Sequence, residues 1–386
     1  MDIAPYLRLM VDKEASDLFL YVGAPVSIKI GGVVRPVGTK VLEAGQVRQI
    51  AYSIMKDDQI KEFEHELELN FAIPLKGVGR FRANVFKQRG EVAMVVRYIK
   101  GQIPQIEELN LPLVLKNLSM EKRGLILFVG ATGCGKSTSL AAMIDHRNQN
   151  SSGHILTVED PIEYTHPHKK SVVGQREIGL DTHSYENALR SALREAPDVI
   201  LVGEVRSREV MKYALQFAET GHLCLSTLHA SNANGALERI VNFFPEGARD
   251  QLLMDLALNL RAIISQRLIR SLGGGRVPAV EVLLNSPYVQ DLIMKGKIDT
   301  VKDAMEQANE GGMKTFDQAL FDLYKEGKIS REEAIKNADS RNNVSLQIRL
   351  HEADVGSEKF KVSKAEPFAA PDLTLSDQEE DRGMML

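Results

Sequence analysis

The segment GATGCGKS, residues 130–137, constrains the fold of this 386-residue chain more than any other feature. It matches the pattern G-x-x-x-x-G-K-[ST] and stands between an apolar run typical of a strand, GLILFVG, and a segment with helical character. Glycines let such a loop curl so that its backbone N–H groups point at phosphate oxygens, and the following helix adds its positive end. The sequence therefore predicts a nucleotide-binding α/β core.

The loop also indicates which parts of a nucleotide its residues contact, with ATP and Mg²⁺ as the expected cofactors. Lys136 provides a point charge for the β and γ phosphates, and Ser137 provides a hydroxyl group for Mg²⁺. The other predicted nucleotide-binding residues are Gly130, Ala131, Thr132, Gly133, Cys134, Gly135 and Thr138.

Four apolar runs between residues 124 and 284 predict the strands of the core: GLILFVG, HILTVED, DVILVGE and HLCLSTLH. Runs without alternation are typical of strands buried on both faces, as in a parallel sheet. Helical patterns then dominate. SPYVQDLIMKG begins with Ser and Pro in the order of a helix start, and SREEAIKNA has Ser330 and Glu333 at capping-box spacing.

The first hundred residues have a different pattern. Short strand signals, DLFLYVG, PVSIKIGGVVRPV, ELNFAIP, GRFRANVFKQRG and EVAMVVRYI, accompany one amphipathic helix, AGQVRQIAYSIMKDD. Consecutive strands with tight turns predict an antiparallel sheet in a small α+β domain. The predicted boundaries are 1–100 for this domain, 101–112 for a linker, 113–285 for the core, 286–350 for a helical subdomain and 351–386 for an acidic disordered tail.

Acidic residues crowd the predicted carboxyl ends of two core strands. Glu159, Asp160 and Glu163 follow one strand, and Glu204 ends another. Acids at the end of a buried strand are unfavourable unless a ligand needs them, and parallel sheets bind ligands at this edge. We therefore assign Glu204, with Ser137, to a magnesium-and-water cluster and Glu163 to orienting or deprotonating the water. The sequence leaves the roles of the two glutamates interchangeable.

Two histidines, His222 and His229, bracket the strand HLCLSTLH and are also predicted as catalytic residues. Their odd spacing places them on opposite faces of a strand, so a metal shared between them is not expected. His229 lies at the carboxyl end, where it would sense the γ-phosphate. His222 lies at the start of the strand, where a structural role is the alternative.

Composition excludes several classes of protein. The net charge is −4, and nine acidic and four basic residues from position 352 onward leave the rest nearly neutral, so nucleic acid is not an expected partner. No apolar run approaches the ~20 residues of a membrane helix, and the N-terminus lacks a signal-peptide pattern, so a cytoplasmic location is expected. Two Cys residues cannot form a four-cysteine zinc site.

In this order, GATGCGKSTSLAAMID, ILTVEDPIEYTH, QREIG, LREAPDVILVGEVR and AETGHLCLSTLHA resemble the type II/IV secretion superfamily of hexameric ATPases. More narrowly, they resemble its pilus retraction ATPases, the PilT/PilU group. The resemblance implies an α/β fold with a RecA-like P-loop ATPase core, a preceding PAS-like domain and a C-terminal helical subdomain. It also implies a homohexamer, peripheral at the inner-membrane pilus base, with the pilus platform protein of that membrane as a partner.

Two features distinguish branches of this group. The chain lacks the four-cysteine zinc module common in assembly and secretion ATPases. The Ala-Ile-Arg-Asn-Leu-Ile signature of the PilT branch aligns with YVQDLI, so that Gln290 and Asp291 replace Arg-Asn and remove a fixed positive charge. The resemblance thus favours the accessory, PilU-type branch, which depends on a PilT-type paralogue. The alternatives are a stand-alone retraction motor, a secretion or assembly ATPase, and a RecA-like nucleic-acid translocase.

The resemblance also gives a role to arginines of the N-terminal domain. In the group, such side chains reach the nucleotide of the neighbouring subunit, where a guanidinium stabilises transition-state charge. Arg80 and Arg82 share one face of a predicted strand, and Arg97 lies on a later one. These three are the predicted trans-acting residues. Further cationic candidates, which the sequence does not rank, are Arg176, Arg190, Arg194 and Arg206.

Overall fold

The computed structural model describes residues 2–99, 101–308 and 311–363. Two β-sheets dominate these residues, one of six strands and one of seven, and helices cover both. No helix within the described ranges is long and apolar enough to cross a membrane.

The six-stranded sheet occupies the N-terminal part, with strand order β3-β2-β1-β6-β5-β4 and antiparallel pairing throughout. Its strands are β1 (Asp17–Leu20), β2 (Pro25–Ile30), β3 (Val33–Val41), β4 (Glu68–Leu75), β5 (Gly79–Gln88) and β6 (Glu91–Ile99). Its helices are α1 (Ala4–Asp12), α2 (Gln46–Ile54) and α3 (Asp57–Glu66).

One helix prediction in this part is wrong in extent. The structure ends α2 at Ile54 and starts α3 at Asp57, because Met55 and Lys56 have extended backbone. The Gln59 side chain accepts a hydrogen bond of 3.0 Å from the Lys56 N–H group, which starts the second helix. The alternation predicted for β5 is present, since Phe81 is fully buried and the flanking arginines are only partly exposed.

The seven-stranded sheet has the order β13-β12-β7-β11-β10-β8-β9. All neighbours are parallel except β12 and β13, which form an antiparallel hairpin. Its strands are β7 (Gly124–Val129), β8 (Gly153–Glu159), β9 (Ser171–Glu177), β10 (Val199–Val202), β11 (Leu223–Leu228), β12 (Leu260–Arg270) and β13 (Arg276–Leu284). The sequence pattern missed β9, β12 and β13, because Arg176, Arg267 and Glu281 interrupt their apolar runs.

Helices pack on both faces of this sheet and bury its apolar side chains in two clusters. They are α4 (Val114–Ser119), α5 (Lys136–Asn150), α6 (Tyr185–Ala192), α7 (Arg208–Glu219), α8 (Ala233–Asn242) and α9 (Arg249–Asn259). Every residue of β7 is buried, and the chain passes from its carboxyl end through the glycine-rich loop directly into α5. The fold therefore places that loop at the centre of the sheet's carboxyl edge.

The C-terminal part is helical: α10 (Pro287–Met294), α11 (Val301–Gln307), α12 (Phe316–Lys325), α13 (Arg331–Asn337) and α14 (Arg341–Ser363). Arg267 on β12 ties it to the core. Its guanidinium donates to the Asn337 carbonyl at 2.7 Å, to Asp339 at 2.7 Å and to the Ser231 carbonyl at 3.2 Å. It also lies 3.9 Å from the centroid of the Phe316 ring.

The predicted disordered tail needs a correction. Helix α14 continues through Ser363, so the prediction of disorder is wrong for 351–363. Glu352 accepts hydrogen bonds from Tyr324 at 2.7 Å and Arg331 at 3.1 Å, which fixes this part of the helix against α12 and α13. Residues 364–386 lie outside the described residues. The predicted domain boundaries stay predictions.

Candidate nucleotide site

The glycine-rich loop after β7 is closely packed against β12. At Gly130 an added Cβ would lie 2.6 Å from both the Cys134 Sγ and the Gln266 carbonyl oxygen. At Gly135, which has a φ of +95°, it would lie 2.7 Å from the Gln266 Nε2. Both positions therefore require glycine, for space and for backbone conformation.

Gln266 holds the loop in place from β12. Its Nε2 donates to the Cys134 carbonyl at 2.8 Å, and its Oε1 accepts from the Ser139 hydroxyl at 2.8 Å. The side chain is buried, so each of these polar groups needs its partner. Sequence reasoning missed Gln266, because no local pattern connects it with a loop 132 residues away.

Lys136 begins α5 and is buried. Its ammonium group donates to the carbonyls of Gly130 at 2.7 Å and Ala131 at 3.0 Å, so the charge lies inside the curl of the loop. The hydroxyl of Thr138, two residues further, lies 2.9 Å from the Tyr164 hydroxyl. The loop thus presents a fixed cation and a row of N–H groups to the same space, which is the arrangement that binds phosphate.

A cavity of about 460 Å³ opens at the carboxyl edge of the sheet above this loop. The predicted site residues that line it are Thr132, Gly133, Gly135, Lys136, Ser137, Thr138, Glu163, Glu204 and His229. Glu159, Asp160, Tyr185 and Arg206 line it as well. Four strand ends thus bring together the predicted loop, both glutamates and one of the two histidines. Their functional roles remain predictions.

Arg206 connects the acidic residues of the cavity. Its Nε donates to Glu204 at 2.8 Å, and its terminal nitrogen donates to Asp160 at 3.3 Å. The hydrogen bond to Glu204 raises the pKa of Arg206 further. On its other side, Glu204 lies 3.4 Å from the Nε2 of His229. Arg206, unranked by sequence, is therefore a second cation of the cavity, and it shares the charge of Glu204.

Glu159 is a desolvated carboxylate of the cavity. It accepts hydrogen bonds from Thr157 at 2.7 Å and from Gln175 at 3.3 Å. Burial nevertheless raises its pKa to about 7, and the nearby charge of Glu163 acts in the same direction. The site therefore contains a carboxyl group whose pKa lies well above its ordinary value.

The raised pKa of Glu159 predicts that the stability of the protein, measured in the absence of nucleotide and magnesium, depends on pH. The pKa of Glu159 rises from 4.5 to about 7 on folding, so the folded state retains a proton that the unfolded state loses in this range. The contribution of Glu159 to the free energy of unfolding is therefore lost as the pH rises from 4.5 to about 7. We expect Glu159→Gln to increase the free energy of unfolding, relative to the unmodified protein, by on the order of 1–3 kcal/mol more at pH 8 than at pH 5. Urea titrations at the two pH values measure this difference.

Glu238, an exposed carboxylate on α8, provides the matched control for this prediction. Glu238→Gln should leave the difference in stability between the two pH values as it is in the unmodified protein. An unchanged difference in Glu159→Gln itself would contradict the raised pKa.

The two predicted histidines flank opposite ends of β11, and only His229 lines the cavity. His222 lies at the amino end of β11, away from the cavity. Its Nδ1 is 3.2 Å from the Phe217 carbonyl and 3.1 Å from the Thr220 hydroxyl, and its ring stands edge-on to the Phe217 ring. These contacts join the end of α7 to the strand, as expected for the structural alternative, and a catalytic role of His222 stays a prediction.

The predicted trans-acting arginines make contacts within their own chain. Arg97 donates to Asp17 at 2.9 Å across the six-stranded sheet. The Arg82 Nε lies 3.9 Å from the Oε1 of Glu177 on β9. Burial raises the pKa of that carboxyl, and the charges of Arg82 and Arg80 oppose this shift. None of the three lines the cavity. Their action on a neighbouring subunit stays a prediction.

The residues of the cavity are compatible with Mg²⁺ bound together with a nucleotide. Within 2–99, 101–308 and 311–363, no three His, Cys, Asp or Glu side chains cluster as a metal site. Mg²⁺ typically binds through one or two protein ligands, several waters and substrate phosphates. Ser137 and Glu204 line the same space, as that mode requires, and their role as ligands stays a prediction.

A family model described as "Type II/IV secretion system protein" matches residues 5–276. The chain belongs to this family. It is 54% identical over 351 residues to the type IV pilus ATPase PilU of Pseudomonas aeruginosa, covering 91% of this chain and 92% of that protein. To the type IV pilus retraction ATPase PilT of the same organism it is 43% identical, covering 89% and 100%.

A solved structure extends this family relationship to three dimensions. The crystal structure of the pilus retraction motor PilT with bound ADP matches with a TM-score of 0.83 and 42% identity, covering 88% of this chain and 98% of that one. The predicted resemblance and the predicted fold class, an α/β RecA-like core with a small N-terminal α+β domain and C-terminal helices, are thereby confirmed.

Proposed function

We propose that this protein is an ATP-hydrolysing motor of type IV pilus retraction, acting as the accessory to a PilT-type ATPase. The observation that carries the proposal is the cavity at the carboxyl edge of the sheet, where Lys136, Glu163 and Glu204 converge in a chain 54% identical to a type IV pilus ATPase. Hydrolysis drives motion between two units, residues 1–100 and 113–285, joined by the linker at 101–112.

The glycine-rich loop binds the phosphates of ATP. Lys136 turns its ammonium group from the loop carbonyls towards the β and γ phosphates, which offer full negative charges in place of carbonyl dipoles. When bound, Mg²⁺ neutralises phosphate charge beside Ser137. Arg206 adds a second cation to the lining of the cavity, which can stabilise the charge that develops on the transferred phosphoryl group.

Glu204 and Glu163 have different roles in hydrolysis. Glu204 is held by Arg206 at 2.8 Å, which fixes its carboxylate for Mg²⁺ and for the water around it. Glu163 lines the same cavity and has no ion-pair partner among the described residues, so its carboxylate is available to the attacking water. A carboxylate within hydrogen-bond reach of that water orients it and accepts its proton.

Helix α10 supports the accessory assignment. Gln290 occupies the position of the arginine in the PilT-branch signature, and its amide donates to the Ala257 carbonyl on α9 at 2.8 Å. The next residue, Asp291, pairs with Lys295 at 2.7 Å. Where the signature offers a fixed positive charge, this helix offers a carboxylate and the exposed ring of Tyr288. A partner that recognises the signature arginine would not bind here in the same way.

The protein works as an assembly with other pilus proteins at the inner membrane. The working form is a homohexamer at the cytoplasmic side of the inner-membrane pilus base, acting with the PilT-type paralogue and the pilus platform protein. The similarity to a solved pilus retraction motor supports this setting. The net charge of −4 gives no electrostatic basis for a nucleic-acid partner.

The decisive experiment follows pilus length in single cells. In a strain that lacks the PilT-type paralogue but expresses this protein at high level, we expect almost no retraction. With the paralogue present, the protein should increase retraction force, and its Lys136→Ala variant should not. Vigorous retraction without the paralogue would replace the accessory assignment with that of a stand-alone motor.

A further inference from the structure

Glu163 is held from both sides by β9. The N–H group of Ile162 donates to the Oε2 of Glu177 at 3.3 Å, and the carbonyl of Tyr164 accepts from Gln175 at 2.9 Å. These two bonds act on the residues directly before and after Glu163. The position of Glu163 in the cavity therefore depends on the carboxyl end of β9.

Strand β9 is an edge strand and has only β8 beside it. On its other side, Glu177 faces the N-terminal sheet, where the Arg82 Nε lies 3.9 Å from its Oε1. Leu180, three residues later, packs against the core of the N-terminal sheet. The segment that holds Glu163 is thus also the segment that touches the N-terminal part of the chain.

The contact between Arg82 and Glu177 affects a buried charge. The residue is only 2% exposed, and burial raises its pKa. The Ile162 N–H group and the Arg82 and Arg80 guanidiniums act in the opposite direction and favour the charged form. One carboxylate is therefore stabilised partly by the loop of Glu163 and partly by the N-terminal sheet. Withdrawal of the arginines changes the charge and hydration of the group that holds Ile162.

We infer that Glu177 is a positioning residue that links the N-terminal sheet to Glu163. With Arg82 close, the Glu177 carboxylate holds the Ile162 N–H group, and Glu163 is set for hydrolysis. With Arg82 withdrawn, this hold weakens and Glu163 moves away from its working position. The inference rests on the proposed function for the role of Glu163, and it makes hydrolysis dependent on the position of the N-terminal domain.

The test is a double-mutant cycle on ATP hydrolysis with Arg82→Gln, Glu177→Gln and the combined variant. Glu177→Gln keeps an acceptor for the Ile162 N–H group but removes the charge that Arg82 attracts. We expect Arg82→Gln alone to lower kcat about tenfold or more with KM for ATP nearly unchanged, because a misplaced group affects the reaction and not the binding. In the Glu177→Gln background, Arg82→Gln should have almost no further effect.

The cycle separates this role from action on a neighbouring subunit. If Arg82 acts only on the nucleotide of the next protomer, its effect and that of Glu177→Gln multiply, and the inference is overturned. Glu195→Gln is the matched control, since it disrupts another ion pair of β9, with Arg176 at 3.0 Å, without touching the Glu163 loop. Its kcat should equal that of the unmodified protein.

Hydrogen exchange gives a readout that does not need activity. In Glu177→Ala, amides in peptides spanning 160–166 should exchange at least tenfold faster, while peptides of the glycine-rich loop, 130–137, keep their rates. Unchanged exchange at 160–166 would contradict the inference. If Glu177→Ala shows this local loss of protection but the unmodified protein hydrolyses no ATP, the proposed function is contradicted instead, so the two failures are distinguishable.

Discussion

Lys136→Ala protein is expected to bind ATP about a hundredfold more weakly or worse, and to release no measurable phosphate. Lys136 is the cation inside the loop, whereas Arg206 is already paired with Glu204 and Asp160. Losing a hydrogen bond to a charged group costs roughly 1.5–3 kcal/mol, which corresponds to between tenfold and two-hundredfold in affinity. Titration calorimetry and steady-state phosphate release measure the two effects.

Lys212→Ala provides the control for this substitution. Lys212 is exposed on α7, outside the residues that line the cavity, so its loss removes the same charge and leaves the loop intact. Its activity should match that of the unmodified protein. Substantial ATP hydrolysis by Lys136→Ala would mean that the cavity is not where the phosphates bind.

Glu204→Gln protein is expected to keep ATP binding and to lose hydrolysis by about 10²–10³-fold, the usual size of a lost electrostatic contribution in an active site. The amide preserves the shape and still accepts from Arg206, but it no longer provides the carboxylate for Mg²⁺ and water. Single-turnover kinetics with saturating ATP separates binding from the chemical step.

Glu209→Gln is the matched control, because it makes the same change five residues later, at the exposed start of α7. It should hydrolyse ATP normally. Near-normal turnover in Glu204→Gln would remove Glu204 from the mechanism and leave Glu163 as the essential carboxylate.

The central part of the fold was predictable because its signals are local. The strands β7 and β10 are fully buried and entirely apolar, and β8 and β11 are largely so, without regular polar alternation. The backbone of the glycine-rich loop is nearly fixed, so its eight residues form a pattern that can be recognised in the sequence. The strand β9 has no such signal, because it contains polar residues such as Gln175 and Glu177, which hydrogen-bond to the loop that contains Glu163.

The rest of the site depends on contacts between distant segments. Gln266 supports the loop across 132 residues, and Glu177 receives Arg82 from the other sheet. QREIG was recognised as a motif, but the contact that gives Glu177 a role exists only in three dimensions. His222 and His229 lie at opposite ends of β11, and only the carboxyl end of the strand borders the cavity.

Arg267 limits which changes the C-terminal helices of this protein can tolerate. One guanidinium joins the loop after β11, the hairpin of the core and the end of α13 through Ser231, Asn337 and Asp339. Lysine has no planar fork and cannot bond all three in the same geometry. The C-terminal helices of this protein can therefore tolerate a change in length or sequence only while a carbonyl and a carboxylate remain within reach of position 267. A side chain of the core sheet thus determines which changes the helical part tolerates.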